Sequence, residues 1–167
     1  MLVEKIFVIV AMVFALTAVA MKKSWQMFLL SAISNLLTCS SFLVLGGAMS
    51  GMAISLVAGL QCVVATIYAT KDKVFPLGWK IAFFVIYTVC GISNIKAVYD
   101  VLPFVASMLC MWSLFQKHPQ NVRFLNSMNS ITWIIYNAIV GSTAFYTQIL
   151  FLMMNVVTMI TYRKKRA

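Results

Sequence analysis

The sequence predicts an all-α integral membrane protein of seven transmembrane helices. Three observations carry that expectation. Of its 167 residues 63% are hydrophobic and only 10% charged, with a mean hydropathy of +0.97, whereas soluble domains run near half apolar and about a quarter charged. Seven apolar runs approach the roughly 20 residues that cross a bilayer as a helix. The basic residues fall between the runs instead of lining one face, as they do in loops at a membrane surface.

The runs cover 3–21, 24–46, 49–70, 77–95, 98–116, 121–141 and 143–163. The first ends at Lys22-Lys23. Its Ala18-Val19-Ala20 resembles a signal-peptide cleavage site, but the lysines that follow at once and a counterpart later in the chain mark it as a span. Gly46-Gly47 separates the second and third runs as a hairpin without charge. Lys71-Asp72-Lys73 closes the third, and Pro76-Leu77-Gly78 opens the fourth. Lys96 precedes the fifth, Lys117-His118-Pro119 follows it, and Gly141-Ser142 forms a second charge-free hairpin between the sixth and seventh. His118 beside Pro119 reads as a solvated loop residue.

With seven spans, eleven of the 13 basic residues lie on one side: Lys22, Lys23, Lys71, Lys73, Lys80, Lys117, Arg123 and the tail Arg163-Lys164-Lys165-Arg166. Only Lys5 and Lys96 lie on the other, with Glu4 and Asp100. Positive loops favour the cytoplasm, so the C-terminus is expected inside and the N-terminus outside.

A net charge of +10 scattered in this way argues against nucleic-acid binding. Cys39, Cys62, Cys90 and Cys110 stand within apolar runs without metal-ligand or CxxC spacing, as small buried hydrophobes do. No HExxH, GxSxG, GxGxxG or P-loop occurs, and no nucleophile–base constellation; neither catalysis, cofactor nor metal is expected. The acids Glu4, Asp72 and Asp100 lie near span ends, so no deep carboxylate is offered for proton or sodium coupling.

A shift of 94 residues superposes polar landmarks: Lys23 on Lys117, Gln26 on Gln120, Asn35 on Asn129, Thr38 on Thr132, Gly47 on Gly141, Tyr68 on Tyr162 and Lys71 on Lys165. Each repeat then holds three spans, 1–73 and 97–167, and the run within 74–96 links them. One linking helix gives both repeats the same orientation, the parallel scheme of some transporters.

Polar residues inside spans are costly and often functional. Span 2 places Ser31, Ser34, Asn35, Thr38 and Ser41 on one face; span 6 does so with Asn126, Asn129, Ser130, Trp133 and Asn137; span 7 adds Gln148, Asn155 and Thr158. The 94-residue shift pairs Gln61 with Asn155 and Asn35 with Asn129. Four amides, each donor and acceptor, thus stand near mid-membrane in two related pairs. They suit a neutral, hydroxyl-rich solute, or else they join helices as interhelical hydrogen bonds. Trp25, Trp79 and Trp112 sit at span ends as an interfacial belt; Trp133 lies deeper, to pack, to gate or to flank a solute. Gly47, Gly51, Ser55 and Gly59 form a small-residue face for close helix approach.

The second half resembles the bacterial inner-membrane Imp/YgjV family. The residues that carry this are Leu102-Pro103 through Trp112-Ser113-Leu114-Phe115, Arg123, Trp133-Ile134-Ile135-Tyr136-Asn137, Gly141-Ser142, and Phe151-Leu152-Met153-Met154-Asn155 on to Tyr162-Arg163. The first half is similar more loosely. The same stretch looks like SWEET and PQ-loop transporters through Trp133, Tyr136 and Asn155, with Pro119-Gln120 a literal PQ pair. That resemblance implies two parallel three-helix bundles joined by a linker helix, and a sugar-binding role for Asn155. The sequence departs from it at Asn137, where SWEETs carry Gly, and in having only Pro76, Pro103 and Pro119 for hinges.

The expected function is uniporter-like transport of a small neutral polar solute such as a sugar, bound by Asn155, Gln61, Asn129 and Asn35 with Trp133 alongside. A non-transporting scaffold, assembly factor or receptor is the alternative, and a vitamin-precursor carrier keeps the fold with another solute. The bilayer and the solute are the expected partners, with a homo-oligomer left open.

Overall fold

The computed structural model describes residues 2–21, 23–46, 48–73, 75–114 and 119–164. Lys22, Gly47, Lys117, His118, Lys165 and Arg166 lie outside them, as do the side chains of Gln120, Arg123, Thr158, Tyr162, Arg163 and Lys164. Among the described residues there are seven α-helices and no strand: α1 (Leu2–Ala20), α2 (Ser24–Leu45), α3 (Met49–Ala69), α4 (Leu77–Ser93), α5 (Val101–Leu114), α6 (Pro119–Val140) and α7 (Phe145–Lys164). Within α2 and α3, 25–45 and 49–69 are long and apolar enough to cross a membrane.

The breaks between helices have local causes. At the end of α2, Gly46 takes a left-handed φ of 76° and returns its N–H to the Phe42 carbonyl; only glycine reaches that conformation without a steric cost. Gly141 does the same after α6 at φ 71°, with the Ser142 N–H on the Asn137 carbonyl at 2.9 Å. The fifth helix starts later than the apolar run suggests. Val98–Asp100 is a 3-10 turn, because the Asp100 carboxylate accepts the backbone N–H groups of Lys96 (3.0 Å) and Ala97 (2.9 Å) and holds the chain ahead of α5 in a tight bend.

Helices adjacent in sequence pack together. The middle helix α2 lies between α1 and α3, and α6 between α5 and α7; α4 rests on α3 and α5, α3 also meets α5, and α1 meets α7. The bundle is apolar outside and polar within. On α1, Val8, Ala11, Ala15 and Ala18 turn inward while Ile6, Ile9, Val10 and Val13 are exposed. Buried polar residues include Ser41, Ser55, Gln61, Ser130, Asn137 and Thr147. Water would reverse that arrangement, and lipid favours it.

Because lipid is as apolar as leucine, helix association here depends on close van der Waals contact. Gly51 provides one such contact: a Cβ there would come within 2.7 Å of the Tyr136 ring. Gly59 provides another against Leu36, at 3.0 Å. The small-residue face of α3 therefore serves two neighbours, α6 through Gly51 and α2 through Gly59. Phe42, Ala48 and Tyr136 form one buried apolar cluster, and Ile54, Val57, Phe83, Tyr87 and Met111 a second; Trp133 packs against both.

Candidate functional site: a central polar cavity

A cavity of about 390 Å³ runs inside the bundle, with wall residues from all seven helices. Asn35, Gln61, Asn129, Trp133 and Asn155, the five residues singled out in the sequence, all line it. No Asp, Glu, Lys, Arg or His stands among its described lining residues. Its volume lies within the range of small-molecule pockets, roughly 300–1,000 Å³.

The amides differ in what they already hold. Gln61 is buried between two partners: its Oε1 accepts the Tyr87 hydroxyl at 2.8 Å, and its Nε2 points at Met111 Sδ at 3.2 Å. Asn35 donates its Nδ2 to the Ser31 carbonyl at 2.9 Å, with Cys62 Sγ 4.0 Å away. Thr38 and Thr132, which the 94-residue shift superposes, each return the hydroxyl to the carbonyl four residues back, at 2.9 Å. Asn129 breaks this parallel with Asn35: its Oδ1 is buried without a hydrogen-bond partner, and so is Oδ1 of Asn137. Asn137, 1% exposed, lines the same cavity. In sequence it is visible only as one more polar residue on the face of α6.

Trp133 stands between these two asparagines on α6. Its indole stacks on Phe42, with ring centroids 6.1 Å apart and planes 19° apart, and meets Tyr136 edge-on at 5.7 Å. It is therefore braced from α2 while it lines the cavity. Tyr136 itself is fully buried and does not line the cavity; its hydroxyl accepts the Gly51 N–H at 3.0 Å and pairs with Ser50 Oγ at 2.9 Å.

One end of the cavity is tied by two acids whose partners the sequence does not indicate. Glu4, at the head of α1, is buried and accepts Ser142 Oγ (3.2 Å), the Thr143 N–H (3.0 Å) and Thr143 Oγ1 (3.0 Å) from the α6–α7 hairpin. Asp100, just ahead of α5, accepts Ser50 Oγ at 2.6 Å from the start of α3. Glu4 thus joins the first turn of α1 to the α6–α7 hairpin, and Asp100 joins the approach to α5 to the first turn of α3. Burial alone would raise the Asp100 carboxyl, but the Ser50 hydroxyl, the Lys96 and Ala97 N–H groups and the Lys96 charge outweigh it and hold the carboxyl below its ordinary value. At the opposite end, the Trp79 indole N–H donates to the Tyr68 hydroxyl at 3.1 Å, with Lys71 and Lys73 exposed nearby in sequence. Trp112 is exposed there too, as a tryptophan at a membrane interface would be.

An apolar exterior around a polar interior marks a membrane protein, and comparison with known families agrees. A model of the Imp-YgjV family, described as bacterial inner membrane protein, matches residues 2–166. This chain belongs to that family. The match takes in the first half, whose resemblance is the looser one, as well as the second. No curated protein and no solved structure matches the chain. Membership of the Imp-YgjV family places the protein in the bacterial inner membrane.

Proposed function

We propose that this protein is a uniporter-like transporter of a small neutral polar solute, bound in the central cavity. The observation that carries the reading is the cavity itself: about 390 Å³, walled by every helix, rich in amides and hydroxyls, and without a charged lining group among the described residues. A charged solute would lack a counter-ion there. Packing neighbours support a 3+1+3 arrangement: α1–α2–α3 and α5–α6–α7 each centre on the middle helix, and α4 bridges α3 and α5. In this reading the halves rock about the site, the basic end faces the cytoplasm, and Glu4 and Asp100 tie the outer end. A sugar and a vitamin precursor both fit that chemistry.

The test is a thermal-shift and proteoliposome-flux screen of sugars, nucleosides and vitamins on wild type and Asn155→Ala. A ligand that binds the folded state raises its apparent stability. A shift and flux lost in the variant support the reading. No shift for any compound in wild type refutes it. A C-terminal reporter active only outside would reverse the orientation. The scaffold or receptor reading draws on one specific observation: Asn35 and Gln61 are already bonded to neighbouring groups. It expects Asn155→Ala to cost stability with no ligand response in wild type.

A further inference from the structure

We infer that Asn129 and Asn137 form a pair of acceptors that reads hydrogen-bond donors at two separated points of the solute, with Trp133 between them; this rests on the transport reading above. Both Oδ1 atoms are buried and unpartnered, the two such atoms among the described residues. Both residues line one cavity and stand on one helix. Eight residues of α-helix separate them, a rise of roughly 12 Å, and Trp133 lies about one turn from each. A buried acceptor without a partner is destabilising, because it has lost water and gained nothing. Two of them on one wall, in a bundle that otherwise pairs its amide oxygen at Gln61, point to partners supplied from outside the chain.

The chemistry of those partners follows. Carbonyl oxygens accept only, so the solute must bring O–H or N–H groups. The described lining offers no carboxylate, so a full ammonium charge gains too little to leave water. An uncharged molecule with hydroxyls or amides toward both ends, and a flat or apolar middle to lie against the Trp133 indole, satisfies the wall. A compact single-donor solute satisfies only one of its two acceptors.

Asn129→Leu and Asn137→Leu test this, since leucine keeps the four-atom side chain branched at Cγ and removes the unpaired oxygen. Apparent Tm is measured for purified wild type, each variant and Asn155→Ala, alone and with D-glucose, xylitol and uridine, each set against its O-methylated counterpart. The methyl ethers keep acceptors and lose donors. The expected result is an unchanged or raised Tm for both leucine variants without probe, by up to roughly 4 °C. In wild type at least one free-hydroxyl probe gives a shift that its methyl ether does not, and that shift is at least halved in both leucine variants. A fall in Tm of several degrees in both variants overturns the inference, because the oxygens then serve the fold. So does a probe shift that Asn155→Ala removes and both leucine variants keep; in that case the cavity still binds solute and only the acceptor pair is wrong. If no probe shifts wild type, the transport reading fails and this inference with it.

Discussion

Helices α1–α3 and α5–α7, two triples of consecutive helices, line the same cavity, yet their amides are used differently. In the first triple Asn35 and Gln61 are committed: one to the Ser31 carbonyl, the other to Tyr87 and Met111. In the second, Asn129 and Asn137 present oxygens with nothing to accept. One wall of the cavity therefore holds itself, and the other carries oxygens that lack partners. The difference teaches that the neighbouring helix, and not the residue type, decides whether a buried amide oxygen is paired.

The sharpest way to break that comparison is Gln61→Ala. It removes side-chain volume and leaves the buried Tyr87 hydroxyl without its acceptor, and should cost about 3 kcal/mol in chemical unfolding. A cost below ~1 kcal/mol would show Gln61 to be as uncommitted as Asn129. Asp100→Asn comes next, at about 1–2 kcal/mol near neutral pH, since a charged acceptor to Ser50, Lys96 and Ala97 becomes a neutral one. Because the folded-state Asp100 carboxyl lies below its ordinary value, its contribution is present above the ordinary carboxylate pKa and is lost as pH falls through the folded value. The gap between wild type and Asp100→Asn should therefore close on acidification, and a gap that widens toward acid would reverse the sign. Asn35→Ala should cost about 1 kcal/mol, the value of a single hydrogen bond. The smallest stability effect is expected for Asn155→Ala, within about 0.5 kcal/mol, since among the described residues no hydrogen bond holds its amide; its loss should appear in solute-induced shift instead. A stability loss as large as that of Gln61→Ala would place Asn155 with the committed wall.

Much of this architecture is legible in the sequence, because apolar runs of membrane length and the glycines that end them are local signals. The α2 and α6 ends at Gly46 and Gly141 follow from backbone conformations open mainly to glycine. The α5 start is misjudged by hydropathy, since Val98 and Tyr99 look like span while Asp100 bends them into a separate turn. Of the site, all five expected residues reach the cavity, as helical spacing places them on inward faces. Their bonding states are not legible. Whether an amide is tied depends on what the neighbouring helix offers, such as Tyr87 to Gln61 across 26 positions. Asn137 is visible as polar but not as unpaired, and Glu4 looks like an ordinary charge at a span end.

Glu4 carries one more consequence, for the order in which the protein is made. It leaves the ribosome 138 and 139 positions ahead of its partners Ser142 and Thr143. Through the synthesis and insertion of α2 to α6 its carboxylate has none of its native donors. The α1–α7 seam consequently closes only when the α6–α7 hairpin arrives, and Glu4 makes a contact of very high sequence separation that forms late and slowly.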